Sequence, residues 1–118
     1  TKERLVIKQE VKFANARARV KPDSFQLLAT VAKILVLHPE ITSVRVEGHT
    51  DSKGKRAKNL KLSQQRADAV RQHLIEVNGI EADRLRAVGY GPDRAVSPNS
   101  TKQGRALNRR VEFVIVAQ

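Results

Sequence analysis

The sequence predicts one α/β domain with its elements in the order βαβαββ, and three observations predict it. Apolar residues alternate with polar ones near both ends of the chain, two interior segments carry apolar residues at helical spacing, and short valine-rich runs separate them. Strand patterns interleaved with helical ones make a sheet whose crossovers are helical.

Leu5, Ile7, Val11 and Phe13 alternate with Val6, Lys8, Glu10 and Lys12, the period-two pattern of a half-buried strand. Pro22, Asp23 and Ser24 offer a helix start, and Phe25, Leu28, Ala32 and Leu35 follow at helical spacing. Leu27, Val31 and Ile34 widen that stripe, as a helix lying on a sheet requires. His38-Pro39 ends it, because a residue before proline is pushed out of the helical region.

Val44 to Gly48 reads as a second strand. A second helix is expected from near Asn59 to Val77, buried along Ala67, Val70, Leu74 and Val77 and stopped by Asn78-Gly79. Leu85 to Val88 is a short third strand, closed by Gly89-Tyr90-Gly91. Residues 92–108 form a long polar connection, and such loops are often functional. Ser100 and Gln103 have capping-box spacing, which predicts a single helical turn within it. Val111, Phe113 and Ile115 alternate with Glu112, Val114 and Val116 in the last strand.

The 118 residues suit a single domain, 1–118, able to bury one core without disulfides or metal. With one Tyr, three Phe and no Trp, that core must be built from Leu, Val, Ile and Ala. The absence of Cys excludes a disulfide framework, a thiolate zinc site and a cysteine nucleophile. No apolar run reaches the length of a membrane span, and the first twenty residues carry no signal-peptide core. A chain that starts at Thr1 and lacks Met is expected to be excised from a longer protein. Net charge +11 predicts attraction to polyanions: nucleic acid, an anionic membrane surface or an acidic wall polymer.

The most informative stretch is VEGHTDSKG, residues 46–54, where a strand ends in His49, Thr50 and Asp51 and gives way to a basic loop. It is not a phosphate-binding loop. Five residues separate Gly48 from Gly54-Lys55 where the motif has four, and Arg56 stands where a magnesium-holding Ser or Thr is needed. His49 and Asp51 lack a third metal ligand nearby; His38 and His73, the other histidines, read as ordinary boundary or surface residues. Neither a metal nor any other cofactor is expected. Nor is catalysis: Asp51 has no second acid near it, no serine sits in a nucleophile elbow, and Glu47 reads as a solvated or paired charge.

Recognition remains. Asn59, Ser63 and Arg66 recur at i, i+4 and i+7 on one face of the long helix, with Leu62 beside them. Base rates make Arg66 one more solvated cation. A strand-end Asp across from it raises it to a candidate partner for a charged ligand.

These residues resemble the OmpA-like peptidoglycan-binding domains of outer-membrane proteins, peptidoglycan-associated lipoproteins and flagellar stator subunits. The likeness runs from about Phe13 to Val116. Its blocks are Gly48-His49-Thr50-Asp51, Leu62-Ser63 with Arg66-Ala67, and Asn108-Arg109-Arg110-Val111-Glu112-Phe113. The resemblance implies two long helices packed on one face of a small mixed four-stranded sheet. It also implies a periplasmic domain, tethered to the outer membrane through another part of the protein, that binds the peptide stem of peptidoglycan without covalent attachment. Asp51 then holds the ammonium of the stem's diaminopimelate residue and Arg66 its carboxylate. Asn59, Leu62, Thr50 and Arg109 line the pocket.

Diaminopimelate carries an ammonium and a carboxylate on one carbon, so its receptor needs an anion and a cation a few ångströms apart. Arg suits the carboxylate better than Lys because its planar fork binds bidentately. Two features depart from the family. Ala14 and Asn15 follow Phe13 where many relatives carry an acidic pocket residue, and the loop bearing Lys53, Lys55, Arg56, Lys58 and Lys61 is unusually basic. That loop either helps hold acidic wall polymer or is merely solvated; the second is favoured, since flexible exposed lysines contribute little specific affinity. The rival reading is a nucleic-acid or other polyanion-binding module, on the strength of the charge. Against it stands the lack of aromatics for base stacking, with Tyr90 alone beside three Phe expected in the core.

Overall fold

Alternation in Ser43–His49 places Val44 and Val46 on one face of a strand and Arg45, Glu47 and His49 on the other. This strand, β2, organises the fold. The computed structural model describes residues 4–9 (backbone only), 11, 13 and 18–117. β2 pairs in parallel with β3 (Leu85–Gly91) and antiparallel with β4 (Arg110–Ala117), and β4 pairs antiparallel with β1 (Arg4–Gln9). The sheet order is β1-β4-β2-β3.

Helix α1 (Phe25–Leu37) follows a 3-10 turn at Pro22–Ser24, and α2 (Arg56–Glu76) connects β2 to β3. The class is therefore mixed α/β. Val44 sits between Leu85 and Ile115, and Val46 between Ala87 and Phe113. That row forms one core with Leu28, Val31, Ala32 and Leu35 of α1 and Ala67, Val70 and Leu74 of α2. Phe113, fully buried, is its largest member.

Two glycines set how closely α2 lies on the sheet. A Cβ on Gly48 would stand 2.3 Å from the Ser63 carbonyl oxygen, and one on Gly89 would stand 2.2 Å from the Gln64 nitrogen. Any larger residue at either place would push the helix off β2 and β3. Gln64 also bonds the outer strand directly, donating to the Ala87 carbonyl and accepting from the Gly89 N–H. At the other end Arg84 donates to the carbonyls of Leu35, His38 and Ile41, satisfying acceptors that α1 leaves open where it stops.

Four boundaries differ from those the sequence predicts. β1 ends at Gln9; Phe13 instead pairs with Val20 in an isolated antiparallel bridge, so the alternating run is not one strand. Ala14 and Asn15 lie outside the described residues. α2 starts a turn early, at Arg56, without a side-chain cap; its first residue is held from outside by Asp93, 2.7 Å away. β3 continues through the glycines to Gly91, because the parallel register carries Gly48 against Gly89 and His49 against Gly91. The connection after β3 holds a helix of seven residues, α3 (Lys102–Asn108), rather than a single turn. Its cap is Thr101, whose hydroxyl accepts from the Gly104 N–H, and not Ser100.

Candidate functional site

The site is built where β2 ends. The Thr50 N–H donates to the Gly91 carbonyl at 2.9 Å, the last rung holding this end to β3. The next residue, Asp51, leaves the sheet, yet it is only 8% exposed. One carboxylate oxygen accepts from the Lys53 N–H at 2.9 Å, an Asx turn that fixes the start of the basic loop. The other accepts from Arg109 Nη1 at 2.7 Å. From above, Asn59 of α2 donates to the backbone carbonyls of Lys53 and Asp51.

A second layer supports the first. Asn108, fully buried at the end of α3, accepts from the Val96 and Ser97 N–H groups and donates to the Ser97 carbonyl. It also donates to the Asn99 side chain, whose same oxygen accepts from the Ser52 N–H. Loop 94–99 is thus tied to the residue beside Asp51. Arg56 closes the far side with a two-pronged bond to Asp93. Lys53, Lys55, Lys58 and Lys61 stay exposed.

Of the residues singled out in the sequence, Asp51, Asn59 and Arg109 converge through direct bonds, and Thr50 orders the turn by donating its hydroxyl to the Asp51 carbonyl. Leu62 and Arg66 are half-buried on α2, three and seven residues beyond Asn59 and on its face. The Arg66 guanidinium lies 4.8 Å from the centre of the Phe13 ring, and burial pushes its pKa down. It stays charged, as guanidinium does in proteins. Ser63 does a different job: it is buried against the sheet, accepting from the Gly91 N–H and donating to the Leu60 carbonyl.

The opposite face of the sheet is polar and well covered. Glu47 and Glu112 stand directly across from one another on β2 and β4, an arrangement that repels unless countered. Arg45 bonds Glu47 at 2.6 Å, Arg110 bonds Glu112, and His49 Nε2 lies 3.0 Å from the other Glu47 oxygen. Burial, and then the Arg110 guanidinium, push the His49 pKa below the ordinary imidazole value, against the pull of Glu47 and Glu112. The His49 ring stacks on Tyr90, and Arg94 lies 3.8 Å above the same Tyr90 ring.

Glu47, His49 and Glu112 bring three donor atoms within 4.8 Å of one another, a possible cation-binding set. Asp51, paired with His49 in the sequence reading, is not in it. Two arginines already balance its two carboxylates, so a dication there would add uncompensated buried charge. His38 pairs with Glu40, and the His73 ring lies tilted against Phe25; neither joins such a group among the described residues. Phe25 is 43% exposed rather than buried in the core, because it begins α1 at the rim.

Sequence reasoning missed Phe13, Asp93, Asn99 and Asn108. Asn108 stands in the quoted Asn-Arg-Arg block, which was the one signal available; the others act through contacts between distant segments.

The chain belongs to the OmpA family, whose model matches residues 12–109. It is 45% identical over 112 residues to outer membrane porin F of Pseudomonas aeruginosa, covering 95% of this chain and 32% of the porin. The chain thus spans about a third of that relative. Its fold matches the peptidoglycan-associated lipoprotein of Burkholderia pseudomallei (TM-score 0.77, 30% identity, 91% of this chain and 87% of that one). It also matches the cell wall anchor of the T6SS from Pseudomonas aeruginosa (TM-score 0.76, 35% identity, 90% and 75%).

Proposed function

We propose that this domain anchors a larger envelope protein to the cell wall by binding the diaminopimelate residue of the peptidoglycan stem. Asp51 takes the ammonium and Arg66 the carboxylate, while Thr50, Asn59, Leu62 and Arg109 line the pocket. The observation that carries this reading is the immobilised Asp51 carboxylate, held at the end of β2 beside a helix face that bears Arg66. Asn59 joins the Asp51 turn to α2, and Arg66 stands two turns further, about 10 Å along the axis. Helical side chains lean toward the helix N-terminus, the end of α2 at which Asn59 meets the Asp51 carbonyl.

Kinship to a lipoprotein described as peptidoglycan-associated and to a cell wall anchor supports the same reading. The porin and lipoprotein relatives support a periplasmic position, tethered to the outer membrane through a part of the protein outside this chain. Among the described residues, no helix is long and apolar enough to cross a membrane. The work assigned to the site is binding, without catalysis and without a cofactor. The nucleic-acid alternative is not favoured: the Tyr90 ring is already engaged by His49 and Arg94, which makes it a poor platform for bases.

Calorimetry with a diaminopimelate stem peptide and its lysine counterpart, at low and moderate salt, tests this. Lysine lacks the second carboxylate, so the clamp predicts at least about tenfold preference for diaminopimelate, since a site built to bond a ligand group rejects the analogue lacking it. Equal affinities that collapse together with salt would point to a general polyanion surface.

A further inference from the structure

We infer that Phe13 is a positioning residue for the carboxylate half of the clamp. The inference rests on the clamp reading and adds to it a residue whose aromatic ring sets the geometry of Arg66. Nothing in the alternating pattern of the first segment marks Phe13 for this. It reads there as one more strand residue, whereas in the fold β1 has already ended at Gln9.

Three observations converge. Phe13 is half-buried, with its side chain packed against the hydrophobic core and its backbone bridged to Val20. The Arg66 guanidinium carbon lies 4.8 Å from the ring centre, within range of a cation–π contact. Arg66 also stands immediately before Ala67, which is fully buried and begins the apolar line of α2. A long side chain rooted at the core and lying on an aromatic ring loses most of its freedom before any ligand arrives. A guanidinium resting on a ring keeps its N–H donors in its own plane, the geometry in which it grips a carboxylate bidentately. Ordering Arg66 in advance removes part of the entropy cost of binding. The ring acts on Arg66 alone; the ammonium half of the clamp, at Asp51, is held by Lys53 and Arg109 instead.

The consequence is a selective one. Removing the ring should weaken ligands that present a carboxylate to Arg66 and spare those that do not. The experiment compares a stem peptide carrying free diaminopimelate with the same peptide amidated at that carboxylate. It uses wild type, Phe13→Leu, Phe13→Tyr and Arg66→Lys. The wild type should prefer the free acid, Phe13→Leu should lower that preference about three- to fivefold, and Phe13→Tyr should retain it. Arg66→Lys should lose the preference, because Lys lacks the planar fork. An equal loss for both peptides in Phe13→Leu, or no loss, overturns the inference and leaves Phe13 as packing only.

A second readout needs no ligand. The Arg66 Hε resonance should be shifted upfield by the ring in wild type and return in Phe13→Leu. An unshifted wild-type Hε overturns the inference even if the clamp binds. A wild type that shows the shift yet binds neither peptide removes the clamp itself, and the role of Phe13 with it.

Discussion

Arg109 Nη1 lies 2.7 Å from Asp51 Oδ2, a bond that joins the end of β2 to the start of β4 across 58 residues of chain. Arg109 therefore already satisfies the carboxylate assigned to a ligand ammonium. A ligand that brings both charges can offset the disturbance of this pairing: its ammonium faces Asp51 while its carboxylate meets Arg66. A ligand with only a positive charge would disturb the pairing and gain no bond at Arg66. The pair is asymmetric, with side-chain exposures of 44% for Arg109 and 12% for Asp51. Asp51→Ala should accordingly cost about 2 kcal/mol of binding, some thirtyfold, as for a largely desolvated partner. Arg109→Ala should cost under about 1 kcal/mol, because solvent screens that end. Calorimetric titration of both variants checks the order; a larger loss for Arg109 contradicts it.

The seat of α2 on the sheet gives a stability prediction. Gly89→Ala puts a methyl group 2.2 Å from helix backbone, where no side chain can rotate away. Urea unfolding should show a loss of about 2–3 kcal/mol, and Gly48→Ala a similar one. Gly54→Ala meets no neighbour but has φ +89, so its cost is backbone strain alone, about 1–2 kcal/mol. If Gly89→Ala proved neutral, the close approach described here would be wrong.

Much of this architecture was legible beforehand, and the reasons are local. The stripes of α1 and α2 and the alternation of β2 and β4 repeat over several residues, so periodicity finds them, except that Val77, expected on the buried line of α2, lies past the helix end and is exposed. The start of α2 is not marked locally, because Arg56 is held by Asp93, 37 residues away, and not by a cap beside it. Gly89-Tyr90-Gly91 reads locally as a stop to β3, while the ladder to β2 runs through those glycines. In the site, Asp51 stood out as an acid closing a strand before a basic loop. Its bond to Arg109 could not be read from spacing, since nothing along the chain links residues so far apart. Helical spacing and residue type both put Phe25 on the buried stripe, yet its place at the first turn of α1 leaves it at the rim.

Asn108 should be the weak point of the long loop. Its side chain serves the N–H groups of Val96 and Ser97 and, through Asn99, reaches Ser52. Asn108→Ala takes the side-chain partner from those part-buried donors, at a cost of about 1 kcal/mol. Amide exchange should accelerate at residues 96 and 97 and, less strongly, at 52. Exchange unchanged at all three would mean that the loop is held by other contacts.

The buried imidazole makes stability depend on pH. Unfolded, His49 titrates at its ordinary value of about 6.5. Folded, burial and Arg110 lower that value, although Glu47 and Glu112 oppose them. The unfolded chain thus binds the proton first, so stability is complete above about 6.5 and falls as pH drops toward the lowered folded value. His73, lowered by burial as well, adds in the same direction. Thermal unfolding between pH 7.5 and 5 should show a falling midpoint, flattened in a His49→Gln, His73→Gln double variant. A midpoint that rises on acidification reverses the sign and contradicts the burial described for His49.

The central claim is that Asp51 and Arg66 act together on one zwitterionic group. Its most direct test is an NMR titration with a diaminopimelate-containing muropeptide at moderate salt, run on wild type, Asp51→Ala and Arg66→Ala. The clamp predicts saturable shifts at residues 49–66 and 108–110 in wild type, lost in both variants while each keeps its folded spectrum. Shifts that survive in either variant, or that gather on the exposed lysines and vanish with salt, would contradict it.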